Sequence, residues 1–131
     1  MKIASIDVGV KRIGLALCLD GKVVFPQNAI LRKNRKQASK DVKTFLDEWG
    51  IERVIVGIPK GGSTEDEMKR RIKHFISLLE LKEIEVLYQD EYGSSIEAKE
   101  ITKGVFRHKK DGKIDSISAK IILERWLSAT N

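Results

Sequence analysis

The sequence predicts an α/β fold: a mixed five-stranded sheet, with a three-stranded antiparallel meander running into parallel strands, flanked by helices in the order βββαβαβαα. Three observations carry this. Apolar runs of strand length alternate with stretches of helical periodicity, so crossovers back onto a parallel sheet are expected. An Asp20-Gly21 pair joins two early apolar runs, which is a hairpin signal because both residues tolerate positive φ. The chain has 131 residues, 2 Pro and no low-complexity tract, so it reads as a single domain over residues 1–131.

In chain order, residues 2–6 (KIASI) read as a short buried strand, 13–19 (IGLALCL) as a second and 23–31 as a third. Ala38, Val42, Phe45, Leu46 and Trp49 then recur at helical spacing, with Gly50 at the C-cap position. Residues 53–58 (RVIVGI) are almost continuously apolar, as a parallel strand covered on both faces should be. Thr64 and Glu67 make a capping box for a helix that turns Met68, Ile72, Phe75, Ile76 and Leu79 inward, and its acidic first turn and basic second turn suit the helix dipole. A strand over 84–88, a short helix over 95–102 and a last helix from about Lys113, with Ile114, Ile117, Ile121 and Trp126 on one face, complete the order. Trp49 and Trp126 are expected in the core, Cys18 packed inside the second strand, and His74 in solvent.

The charge is +6 and unevenly spread. Residues 32–43 carry six positive and one negative charge, and residues 103–113 five and one. The rest of the chain is net negative, so these two segments would attract a polyanion such as nucleic acid. The plain alternative is a solvated helix face and a loop. A membrane is not the expected partner, since apolar runs such as Val54-Ile55-Val56 fall far short of the ~18 residues of a spanning helix and the N-terminus has no signal-peptide pattern. A cytoplasmic location is expected. One cysteine supplies neither an internal disulfide nor a thiolate zinc cluster.

Chemistry points to acids at strand ends. Asp7 ends the first strand in the run DVGVKRIGLA, Asp90 and Glu91 follow the fifth, and Asp115 opens the last helix among apolar neighbours. A turn aspartate is the alternative for Asp7 taken alone. In a mixed sheet the first and fifth strands can lie side by side, and a helix across their ends can add the third acid. Carboxylates gathered so closely need a divalent cation, and oxygen ligands of this kind suit Mg²⁺ or Mn²⁺.

Asp7-Val-Gly-Val-Lys-Arg-Ile-Gly-Leu-Ala, Val56-Gly57-Ile58-Pro59, Asp90-Glu91 before Ser94-Ser95-Ile-Glu97-Ala98, and Ile114-Asp115 occur in the same order as in the YqgF family, which this chain resembles over nearly its whole length. The resemblance implies a ribonuclease H-like fold and a nuclease, since the family is described both as a Holliday junction resolvase and as maturing the 5′ end of pre-16S ribosomal RNA. It implies that Asp7, Glu91 and Asp115 are the acidic active-site residues that hold the metal, with Asp90 a structural neighbour. The chain departs from the family in having Tyr92 where an Arg usually follows the Asp-Glu pair, so either activity is weaker than the family's or another basic residue such as Arg107 or Lys109 fills the role.

On this reading Lys11 and Arg12 meet phosphate beside the site. The compact loop with Lys60 offers backbone N–H groups to one phosphate, and Arg107, His108, Lys109 and Lys110 extend the track. Structured RNA is the favoured partner and branched DNA the second. A monomer is favoured over a dimer, because the apolar helix stripes are consumed by one core. The competing reading is a nucleic-acid-binding factor that keeps the fold without cleaving.

Overall fold

The structure, a computed structural model, describes residues 1–59, 65–90 and 113–130, excluding the side chains of residues 90 and 113–115. Its framework is set by β1 (Ile3–Val8), whose alternation sends Ala4 and Ile6 to one face of the sheet and Ile3 and Ser5 to the other, all of them buried. Antiparallel β2 (Arg12–Cys18) pairs with it in a register that sets Gly14 opposite Asp7. β3 (Phe25–Leu31) is an edge strand, where Pro26 is tolerated because an unpaired side needs no N–H.

The Asp20-Gly21 pair lies within a longer connection, residues 19–24, rather than forming a two-residue turn. The Asp20 carboxylate accepts from the Lys22 and Val23 amides at 2.9 and 3.0 Å, and these bonds hold its pKa below the ordinary value. Gly21 takes the positive φ, 78°, that the bend needs.

α1 (Arg35–Trp49) starts at a capping box that the periodicity does not reveal: Asn34 Oδ1 accepts from the Gln37 amide at 2.7 Å while Gln37 Oε1 accepts from the Asn34 amide. Gly50 closes it in the left-handed region, as expected. Trp49 is not in the core but 39% exposed, because this end of α1 has run past the strands to the level of Lys2. Trp126 is half-buried and packs against the core under the last helix, with the Arg53 guanidinium 5.3 Å from its ring centroid.

β4 (Arg53–Ile58), α2 (Glu65–Ser77) and β5 (Glu85–Asp90) follow as crossovers, and a final helix, α3 (Lys113–Thr130), covers the other face. The strand order is β3-β2-β1-β4-β5, with β4 parallel to both its neighbours. The first and fifth strands are therefore not adjacent. β4 separates them, an offset of about 10 Å, because the apolar β4 gains most by burial between two strands.

Two cores result. Ala4, Ile6, Val54 and Val56 pack under α1 and α2 against Val42, Leu46, Ile72 and Phe75. Ile3, Cys18 and Ile55 pack on the other face against Ala119, Ile122 and Leu123 of α3. Cys18 is a free, buried thiol, as expected. Thr64, the expected helix over 95–102 and the basic loop after it lie outside the described residues.

Candidate active site

Asp7 is the penultimate residue of β1, half-buried, and shares its face with Ser5 and Ile3, the face that α3 covers. The neighbouring strands leave room beside it. Gly14 stands directly opposite on β2, and the β1–β4 register, which pairs Ile6 with Val56, leads next to Gly57. Neither glycine projects a side chain over the carboxylate.

α3 runs antiparallel to β1. The Ser5 hydroxyl donates to the Ala119 carbonyl at 2.6 Å, while Trp126 lies against Arg53, which pairs with Ile3 at the far end of β1. Residue 115 is one helical turn before Ala119, about 6 Å along the axis, and Asp7 is two residues beyond Ser5, about 6.6 Å along the strand. The first turn of α3 thus reaches the end of β1 that carries Asp7. The antiparallel run of the helix, which periodicity alone does not encode, brings these two acid-bearing backbone positions together. Ser116, next in sequence, is 1% exposed, and its hydroxyl has no hydrogen-bond partner among the described residues.

Immediately after β1 the chain turns on Gly9, whose amide donates to the Arg12 carbonyl at 3.0 Å. A Cβ at Gly9 would stand 2.4 Å from that backbone oxygen. Gly9→Ala is therefore expected to shift the turn and with it Asp7, cutting cleavage at least about tenfold with little change in the far-UV circular dichroism spectrum. Parental turnover by this variant would show that the turn does not set the acid's position. Of the cations expected beside the site, Lys11 is exposed and Arg12 half-buried at the start of β2. Lys60, Glu91, Arg107, His108, Lys109 and Lys110 lie outside the described residues, and Asp115 is described by its backbone alone. Among the described residues no three His, Cys, Asp or Glu side chains converge.

One basic cluster escaped sequence reasoning. Arg70, Arg71 and His74 of α2, where the basic residues read as dipole complement and solvated surface, meet Arg32 and Arg35 around a cavity of about 630 Å³ beside the β1–β2 turn. Arg32 and Arg35 lie in the basic segment 32–43 noted above; that Arg70 and His74, one turn apart, join them is not signalled in the sequence.

Over residues 1–129 the chain matches the family described as RuvX: Holliday junction resolvase. It belongs to that family. A protein of Sulfurovum sp. (strain NBC37-1) is 72% identical, covering 98% of this chain and 99% of its own length. One of Sulfurimonas denitrificans is 54% identical, covering 97% of each. Both are named "Putative pre-16S rRNA nuclease".

Among solved structures, T. thermophilus RuvC in complex with a Holliday junction substrate superimposes with a TM-score of 0.64 at 12% identity, covering 100% of this chain and 97% of the other. Fowlpox virus resolvase with Holliday junction DNA gives 0.61 at 14%, covering 99% of each. At such identity the likeness is one of fold, and the fold is ribonuclease H-like, as the resemblance implied. The RuvX chain is a nuclease.

Proposed function

We propose that the chain hydrolyses phosphodiester bonds at the edge of the sheet where β1 ends, that its substrate is the 5′ region of pre-16S ribosomal RNA, and that it works in the cytoplasm as a monomer. The observation that carries the reading is Asp7, a half-buried carboxylate between two glycine positions with the first turn of α3 at its level. The names of relatives at 72% and 54% identity support the substrate.

Asp7, Glu91 and Asp115 would hold a divalent cation. The donor set fits: it is oxygen only, suited to Mg²⁺ or Mn²⁺, and the Ser116 hydroxyl, without a partner among the described residues, adjoins it in sequence. When bound, such a cation supplies Lewis acidity and offsets negative charge at the scissile phosphate. The chain's own contributions are positional. Asp7 holds its charge on a strand buried on both faces, and the missing side chains at Gly14 and Gly57 let a sugar-phosphate backbone approach. Lys11 and Arg12 meet phosphate beside the site, with Lys60, Arg107, His108, Lys109 and Lys110 along the strand's path.

A second reading is resolution of a four-way DNA junction, favoured by the family's description. It asks for paired sites in a two-fold dimer, hence a self-complementary surface. Labelled ribosomal precursor and a labelled four-way junction, each with and without Mn²⁺, separate the two. One metal-dependent cut in the precursor by a monomer is expected. Paired symmetric nicking of the junction by a stable dimer, with the precursor untouched, would reverse the assignment.

Affinity should also fall steeply with salt. Replacing Arg107, Lys109 and Lys110 together by Ala should flatten the slope of log affinity against log salt by about two to three units. An unchanged slope in a salt titration would remove this segment from the path of the nucleic acid.

A further inference from the structure

The cavity of about 630 Å³ lies on the face of β1 opposite Asp7, but at the same end of the strand. Its walls include Val8, Gly9 and Val10, the residues that directly follow Asp7. Among the described residues four arginines line it, namely Arg32, Arg35, Arg70 and Arg71, and no acid does. Arg71 is paired with Glu67 at 2.6 Å, but Arg35 and Arg70 form no ion pair among the described residues.

Arg32 is fixed in advance. Its Nη1 donates to the Gly9 carbonyl at 3.0 Å and its guanidinium sits 5.4 Å from the centroid of the buried Phe75 ring, which leaves further N–H donors for a ligand. Apart from these charges and His74, the described walls are apolar, and Val10 holds 79% of its surface in water at the tip of the turn.

A ligand matched to this site has an anionic group for the arginines and an apolar, planar part for Val10, Met68 and the guanidinium faces. The cavity falls within the usual range for small organic groups, roughly 300–1,000 Å³. A nucleotide unit has both parts. Fork-shaped guanidinium groups suit phosphate, and unpaired bases stack on guanidinium planes as well as on aromatic rings.

We propose that this pocket binds one unpaired nucleotide of the substrate strand, its phosphate on Arg32, Arg35 and Arg70, so that a single-stranded segment is gripped across the β1–β2 turn from the acid end of β1. A paired nucleotide is stacked and cannot enter, so the pocket selects substrates with a single-stranded flank next to the cut. The proposal rests on the nuclease reading for its purpose, but its test does not depend on cleavage.

Binding is measured by fluorescence anisotropy, without divalent metal and on the Asp7→Asn background, using a labelled single-stranded RNA oligonucleotide, a blunt RNA duplex, and AMP and UMP as competitors. Arg35→Ala with Arg70→Ala changes two exposed helical residues to a good helix former, so the fold should persist, as circular dichroism will verify. The double variant should bind the single strand about tenfold more weakly, with a salt slope lower by up to about 0.7, the share of the one phosphate the pocket holds, and bind the duplex as the parent does. Val10→Ser should weaken the single strand alone, with no change in salt slope. Equal losses on single strand and duplex would reduce the pocket to a general basic surface. Unchanged affinity for the single strand would overturn the proposal. Competition by AMP or UMP at concentrations well below those needed of the oligonucleotide would assign the pocket to a free nucleotide instead. Failure here with metal-dependent cleavage intact would leave the nuclease reading standing.

Discussion

Asp7→Asn is expected to abolish metal-dependent cleavage and leave the protein folded. The change keeps the shape of the side chain but removes the one charge that β1 brings to its end, opposite Gly14 and next to the Gly57 position, neither of which carries a side chain. If the bound cation contributes several kcal/mol to the transition state, at about 1.4 kcal/mol per factor of ten, losing it slows the reaction by roughly a thousandfold or more. Nucleic-acid binding should survive or tighten, because an anion repelling phosphate has gone. The measurement is single-turnover cleavage of labelled precursor at saturating Mn²⁺, paired with a thermal melt. Parental cleavage by rigorously purified Asp7→Asn protein would remove Asp7 from the site.

The second large effect is on stability. Phe75 is 1% exposed on the inner face of α2 and packs into the core shared by the sheet, α1 and α2. Phe75→Ala should cost about 3–5 kcal/mol through lost burial and the cavity left behind, a large part of the roughly 5–15 kcal/mol that holds a domain together. The ring also supports Arg32, so Phe75→Leu, which refills most of the volume, should be much milder in stability yet still loosen that guanidinium, worth about 0.5–1 kcal/mol. Urea titrations of the three proteins test this through the midpoint at constant slope. A loss below about 1 kcal/mol for Phe75→Ala would mean that the α2 side of the core closes over the gap.

What could be read in the sequence is what is local. The strand over 53–58 and the stop of α1 at Gly50 follow from the apolar run and from the conformational freedom of glycine, and both stand as expected. Asp7 stands out in the sequence as a candidate because an acid near the end of an apolar strand has no packing reason to be there, and the structure places it half-buried at that end of β1. Strand order was not legible. Nothing in residues 84–90 reports whether β5 pairs with β1 or with β4, since that depends on which apolar faces meet. Trp49 fits the stripe of its helix, yet whether the sheet extends beneath it is set by the level of Lys2, far away in sequence. For the same reason the arginine pocket was invisible: Arg32 and Arg70 are distant in the chain and meet only when α1 and α2 lie side by side on the sheet.

The position of α3 in the chain also sets a timetable. All five strands precede it, and it alone among the described helices covers its face of the sheet. Synthesis proceeds from the N-terminus at about 5–20 residues per second, so a nascent chain carries its strands for several seconds with Ile3, Cys18 and Ile55 unshielded. The helix that ends this exposure is the one that carries Asp115. With Asp115 as the proposed third acid, shielding and the completed site would arrive in a single event, and a half-made chain, emerging from a ribosome whose own RNA passes through precursor forms, would be without the means to cut it.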